Sequence, residues 1–306
     1  MAARDATPRV PVTAAGRLAP AEWFPAGVAG IATRQVALPT GVRVRVLEAG
    51  PPDGPPVLLV HGWAVSAYLW RHNLLPLAAA GHRAIALDLP GHGLSDAPDA
   101  DGAYTLERFA GHLSAFLDAL GLERVVLAAQ SMAGKIAVRV ALDAPGRIAR
   151  LALFGPVGFG EIPPWQVLAP VVPRLPDPLA VRLVPRRAVD FVQRRVYGKL
   201  GWFSDRDVDE YWAPTQFPAV VRAQLAMLRE FDWAPWTPAA LAALRTPTHV
   251  VFGTRDRTVR PVHAERLAAA LPAGRLTWIV DGGHVVMEEV PTRVNAILLD
   301  GADGAR

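Results

Sequence analysis

A chain of 306 residues, 51% hydrophobic and 20% charged, is long enough to bury a sizeable core and too apolar to stay disordered, so it reads as one large domain or one domain carrying an insertion. Its formal net charge is only +4, and Lys135 and Lys199 are its only lysines; with no basic tract interleaved with aromatics, nucleic acid is not an expected partner. Cysteine is absent, which removes disulfides, thiolate metal sites and cysteine nucleophiles while leaving the redox compartment open.

Residues 1–34 are rich in Ala, Pro and Gly and read as an N-terminal arm, with Glu22-Trp23-Phe24-Pro25 as the segment able to dock it. Met1 to Pro20 carries Arg4, Asp5, Arg9 and Arg17 and lacks the continuous apolar stretch of a signal peptide. No apolar run reaches membrane-spanning length, so a cytoplasmic location is the default expectation. Gln35 to Leu38 and Val42 to Leu47, separated by Pro39-Thr40-Gly41, read as a hairpin. Val57 to Val60 reads as a fully buried strand, followed by a helix-like segment from about Ser66 to Ala80 and a short strand from Ala84 to Leu87. Thr105 to Leu120 has apolar residues at helical spacing, with Thr105 as N-cap and Gly121 as stop. Val125 to Gln130 is another apolar run, then comes a helix, then the strand Leu151 to Phe154.

That alternation of strand and helix implies a parallel sheet covered on both faces, with function at the carboxyl ends of its strands. It breaks between about Gly155 and Arg245, a region holding Trp165, Trp202, Trp212, Trp233 and Trp236 and many prolines. We read this stretch as a helical cap inserted between strands. The alternation resumes with Thr248 to Phe252, a helix from Pro261 to Leu271, the strand Leu276 to Val280 and a helix from about Pro291 to Leu299. The expected organisation is an arm at 1–34, a core at 35–155 and 246–300, a cap at 156–245 and a tail at 301–306.

One stretch organises the rest. An apolar run ends at Ser131, flanked by the small residues Ala129, Ala133 and Gly134, and leads into a helix-like segment. Small flanks suit a strained turn where strand and helix approach closely, and such a turn exposes the serine Oγ beside the positive end of a helix. Ser131 is therefore the candidate nucleophile; a plain helix N-cap is the competing reading. A serine hydroxyl needs a base, and the base an orienting acid. His284, after Gly282-Gly283, and Asp256, on the loop after Thr248 to Phe252, lie on loops that a parallel sheet brings to the same edge. Asp281 is only three residues from His284, which limits it to a local contact, and Asp232 falls in the cap. The backbone N–H groups of Met132 and Trp63 are the candidate oxyanion donors. His61 and His92 sit in glycine turns where an imidazole can bond backbone, and Asp88 to Asp96 reads as a structural turn, since its spacing matches no metal motif and it has no phosphate-loop lysine.

In the Ser131 turn, His61-Gly62-Trp63, Asp88-Leu89-Pro90-Gly91-His92-Gly93-Leu94-Ser95-Asp96, Asp256 and Gly282-Gly283-His284, the chain resembles the capped α/β-hydrolase superfamily over about residues 35–300. It departs from the usual turn in having Ala129 and Ala133 where glycine is common. The resemblance implies an α/β-hydrolase fold: a mostly parallel eight-stranded sheet, helices on both faces and an inserted helical lid. It also implies hydrolysis without cofactor or metal, through an acyl-enzyme. Epoxide hydrolases and haloalkane dehalogenases look similar overall but use an aspartate nucleophile, and position 131 is serine. What remains are esterases, lactonases, thioesterases, perhydrolase-like enzymes and C–C bond hydrolases.

The expectation is a serine carboxylesterase-like enzyme for small, moderately hydrophobic acyl esters, with Ser131, His284 and Asp256 as triad. Trp63, Met132, Phe159, Trp165 and Val285 are the expected pocket residues. The alternatives are a C–C bond or lactone hydrolase with the same triad, or a ligand-binding member of the fold without turnover.

Overall fold

The apolar runs become strands of a single sheet. The computed structural model describes residues 18–161 and 184–300, and in it β1 (Ala32–Ala37), β2 (Arg43–Ala49), β3 (Pro56–Val60), β4 (Arg83–Leu87), β5 (Val125–Gln130), β6 (Ile148–Phe154), β7 (Thr248–Gly253) and β8 (Gly274–Ile279) pair in the order β1-β2-β4-β3-β5-β6-β7-β8. β2 pairs antiparallel with β1 and β4, and every other pairing is parallel. Between them run α1 (Leu74–Ala79), α2 (Leu106–Ala119) and α3 (Met132–Asp143). After β6 come α4 (Arg186–Val196), α5 (Asp205–Trp212), α6 (Pro218–Glu230) and α7 (Pro238–Ala242), then α8 (Ala264–Ala269), α9 (Val286–Glu289) and α10 (Pro291–Leu299). Among the described residues, no helix is long and apolar enough to cross a membrane.

The pleat sorts side chains into two cores. In β3, Leu58 and Val60 join a cluster with α2, α3 and α8, whereas Val57 and Leu59 join a second cluster with Trp70, α1 and α10. A strand buried on both faces has no polar side, which is why Val57–Val60 and Val125–Ala129 are continuous apolar runs rather than alternating ones. α2 forms as its periodicity predicts: Thr105 Oγ1 accepts the Arg108 N–H at 3.2 Å, Leu106, Phe109, Leu113 and Phe116 are buried, and Gly121 stops the helix at φ 63°.

One expected helix divides. Ser66 to Ala80 is a 3-10 turn at Ala67–Trp70 followed by a separate α1. Pro76 lacks the N–H an uninterrupted helix would use and is tolerated only in a first turn, so a new helix starts at Leu74. The N-terminal segment is anchored as its aromatics suggested. Trp23 and Phe24 are buried, Phe24 N–H donates to Glu210 Oε1 at 2.9 Å, and the Phe24 ring meets Tyr68 edge-on.

The loop after β4 is tied by a buried carboxylate. Asp88 Oδ2 accepts from Arg45 Nε at 2.7 Å and from Leu94 N–H at 2.9 Å, and Oδ1 accepts the Ala67 N–H at 2.7 Å. A Cβ on Gly93 would lie 2.0 Å from Asp88 Oδ2, so only glycine fits there. Both carboxylate oxygens are thus used, and the stretch is the structural turn its sequence suggested. Burial alone would raise the Asp88 carboxyl, but Arg45, His61 and the two N–H groups outweigh it and hold it below the usual carboxylate range.

Removing Asp88 leaves the buried Arg45 guanidinium uncompensated. Asp88→Ala should cost about 3–5 kcal/mol, read as a lower urea midpoint. Because the folded carboxyl lies below its unfolded value, its stabilisation is complete above the ordinary carboxylate pKa, near 4, and fades as pH falls through the folded value. Urea midpoints measured across that window should decline less steeply on acidification in Asp88→Asn than in wild type.

Candidate active site

Ser131 occupies the turn between β5 and α3 with φ 53° and ψ −118°, a left-handed conformation that a residue with a Cβ adopts only under constraint. The constraints are visible. Its N–H donates to Phe154 O at 3.0 Å, and its carbonyl accepts from Gly134 N–H and Val157 N–H, both at 2.9 Å. A Cβ on Gly134 would lie 2.5 Å from Pro156 Cβ, and one on Gly62 2.8 Å from Ser131 Cβ. Ala129 and Ala133 are fully buried and the turn forms with both, so small size suffices at those two positions while glycine is required at 134.

His284 lies on the loop between β8 and α9. Its Nδ1 donates to Asp256 Oδ2 at 2.7 Å, and both side chains are nearly fully buried. Asp256 Oδ1 accepts from Thr258 N–H at 2.8 Å and Val259 N–H at 2.9 Å, which fixes the carboxylate plane. Gly155 passes directly beneath the pair: a Cβ there would stand 2.9 Å from Asp256 Oδ2 and 3.0 Å from His284 Nδ1. Ser131 and His284 both line one cavity of about 520 Å³, and Asp256 stands behind His284 through the 2.7 Å bond.

The other expected residues divide. Trp63 and Val285 line the cavity, and Trp63 Nε1 donates to Gln224 O of α6 at 3.0 Å. Met132 and Phe159 do not line it: both side chains are fully buried in the core cluster on the α2–α3 side of the sheet. The fully buried Met132 side chain packs inward from the first turn of α3, while its backbone N–H belongs to the helix start, where intrahelical partners are lacking. Trp165 lies outside the described residues. Of the other described tryptophans between Gly155 and Arg245 only Trp233 lines the cavity, alongside the aromatic Phe191 and Tyr211 and the aliphatic Val184, Val189, Val192 and Val196.

Competing residues have other work. Asp281 pairs with Arg255 at 2.5 Å, and Asp232 with Lys135 at 2.7 Å. His61 donates from Nδ1 to Gly62 O at 2.7 Å and accepts the Leu89 N–H on Nε2 at 2.9 Å; burial lowers its imidazole to about 4, so it serves as a neutral brace for the Gly62-Trp63 turn.

Sequence reasoning missed the groups that hold the His284 loop. Glu289 Oε1 accepts the Gly283 N–H at 2.6 Å, and Oε2 accepts the Gly198 N–H at 2.9 Å. His284 N–H donates to Val196 O at 2.7 Å. Gly282 and Gly283 are needed for close approach rather than for unusual backbone: a Cβ on Gly283 would sit 2.3 Å from Val196 O. The run of two glutamates at 288–289 was the available signal, since adjacent carboxylates in an apolar stretch must find donors.

Comparison with known proteins agrees with this architecture. A family model described as alpha/beta hydrolase fold matches residues 55–291. The chain is 26% identical over 321 residues to epoxide hydrolase A of Mycobacterium tuberculosis, covering 90% of this chain and 98% of that one. It is 31% identical over 265 residues to a haloalkane dehalogenase of Mycolicibacterium paratuberculosis, covering 81% and 83%. Among solved structures, Cfl2 of Burkholderia cenocepacia superposes with a TM-score of 0.76 at 28% identity, covering 90% of this chain and 96% of that one. The chain belongs to the alpha/beta hydrolase fold family, a family of hydrolytic enzymes.

Proposed function

We propose that this protein is a serine hydrolase that cleaves carboxylic esters of moderately hydrophobic acyl compounds through an acyl-enzyme. The observation that carries this reading is the buried His284–Asp256 bond of 2.7 Å beside a cavity that Ser131 also lines. In the proposed cycle Ser131 Oγ attacks the ester carbonyl carbon while His284 Nε2 takes its proton. Asp256, its second oxygen already occupied by two backbone N–H groups, keeps Nδ1 protonated and stabilises the imidazolium. The Met132 and Trp63 N–H groups receive the oxyanion, and the helix start at Ser131 adds positive potential. His284 then protonates the departing alkoxide, and water, deprotonated by the same imidazole, releases the acid.

The residue type at 131 favours this chemistry over that named for the two relatives. Epoxides and haloalkanes react at saturated carbon. A carboxylate attacking such a carbon leaves an ester, which water can cleave at its carbonyl; a serine would leave an ether, which has no carbonyl and would end turnover. A serine nucleophile completes its cycle only on acyl carbon. The aliphatic wall of Val184, Val189, Val192 and Val196 supports a moderately apolar acyl group, because burying such a group against valines releases ordered water.

Wild type should hydrolyse p-nitrophenyl esters with an optimum at intermediate acyl length and leave a simple alkyl epoxide untouched. Ser131→Ala should lose at least about a thousandfold in kcat. Epoxide opening by wild type, or full ester turnover by the variant, would sink the assignment. Gly155→Ala should lose about a hundredfold in kcat by displacing the Asp256–His284 pair; a kcat within twofold of wild type would show that the pair is not needed in this geometry.

A further inference from the structure

The described wall of the cavity carries a charge that no acidic residue in it balances. Its apolar side is formed by valines of α4 and by Trp63 and Val285, yet Arg195 and Arg257 also line it, and no aspartate or glutamate does so among the described residues. The two arginines come from separate parts of the chain, α4 and the loop that follows Asp256. Their neighbours are paired: Arg194 with Asp190 at 2.8 Å, Arg255 with Asp281 at 2.5 Å, and Arg260 with Glu161 at 2.7 Å. Arg195 and Arg257 have no partner among the described residues, and both are exposed, marking the solvent-facing part of the wall.

A second feature points to a polar ligand in the same place. Gln193 is only 4% exposed and lines the cavity, yet its Oε1 has no hydrogen-bond partner among the described residues. A buried amide oxygen without a partner is destabilising, and the Gln193 side chain makes no hydrogen bond among the described residues that would stop it turning to present Nε2 to a ligand oxygen. Two unpaired guanidinium groups and an unspent amide along an aliphatic wall suit an extended molecule with an apolar middle and an anionic end.

We propose that the cavity selects esters whose acyl chain ends in a carboxylate, a half-ester of an aliphatic dicarboxylic acid being the simplest. The far carboxylate lies between Arg195 and Arg257, the methylene chain runs along the valines, and Gln193, its amide turned so that Nε2 takes the place of Oε1, donates to an oxygen of the bound chain. This rests on the reading of Ser131 as the nucleophile, which sets the scissile carbonyl at the opposite end.

The test compares the p-nitrophenyl half-ester of adipic acid with the p-nitrophenyl ester of methyl adipate, which has the same four-methylene chain and a methyl ester in place of the charge. The kcat/KM ratio of charged to neutral ester should be about tenfold or more in favour of the charged one. It should shrink as salt is raised and fall to about one in the double variant Arg195→Gln, Arg257→Gln; a ratio taken on one protein cancels any loss of folded enzyme. A ratio near one in wild type, or a high ratio that the double variant keeps, overturns the proposal while leaving the serine chemistry intact. In parallel, calorimetry of adipate with Ser131→Ala, with and without the two arginine changes, reads binding alone. If no ester is cleaved but adipate binds and requires the arginines, the hydrolase reading fails and the anion site stands. If adipate does not bind and no ester is cleaved, both fail.

Discussion

Everything around the candidate site depends on one residue held in backbone it would not choose. A φ of 53° at Ser131 is worth on the order of 1–3 kcal/mol of strain, and it persists because the surroundings leave no alternative. β5 is hydrogen-bonded on both sides, to β3 and β6, so the strand cannot slide. The Ser131 N–H and carbonyl are both engaged by the segment from Phe154 to Val157. Gly62 and Gly134 pack so closely that neither position has room for a methyl group. The strain fixes the serine at the tip of the turn, where the start of α3 and the loop after β3 converge.

The imidazole across the cavity is held by different means. His284 receives its position from Asp256 on one side and from the segment after β6 on the other, through Val196 O and through Glu289, which gathers the N–H groups of Gly283 and Gly198. Burial raises the Glu289 carboxyl against the pull of those N–H groups. Beside it lies a buried polar network. Arg71 bonds Glu288 and pairs with Asp207 at 2.8 Å, Tyr197 OH donates to Glu288 at 2.5 Å, and Tyr211 OH donates to the same carboxylate. Burial pushes the Tyr197 and Tyr211 hydroxyls well up, so both stay protonated donors. Helices α4 and α5 are thereby locked to the end of the sheet that carries His284, and the same α4 supplies Gln193, Arg195 and most of the valine wall. The element that shapes the cavity also steadies the imidazole.

Much of this was legible because strand and helix periodicities are local. The runs at Val57–Val60, Val125–Gln130 and Thr248–Gly253 are apolar on both faces since both faces are covered, and the order Ser131, Asp256, His284 follows from where loops emerge in a parallel sheet. The split of the Ser66–Ala80 helix carried its own warning in Pro76. What stayed hidden depends on which distant segments touch. Phe159 and Met132 were plausible wall residues by sequence position, yet their side chains serve the core. Val189, Val192, Arg195 and Arg257 became a wall only once α4 crossed the sheet edge. Glu289 gave no sign that Gly198 would be a partner, because that residue lies far away in sequence. The described tryptophans between β6 and β7 were an uneven guide to the lining: Trp233 lines the cavity, whereas Trp202 is 68% exposed and stacks on Phe203.

The central claim is that Ser131 carries the acyl group during turnover, and the most direct measurement is to catch it there. Wild-type protein mixed with p-nitrophenyl butyrate, quenched in acid within the first turnovers and digested should show a butyryl adduct on the peptide bearing Ser131, appearing with a burst of p-nitrophenol and decaying as substrate is exhausted. An adduct on any other residue, or steady hydrolysis by protein whose Ser131 is already blocked by a fluorophosphonate, would contradict the account.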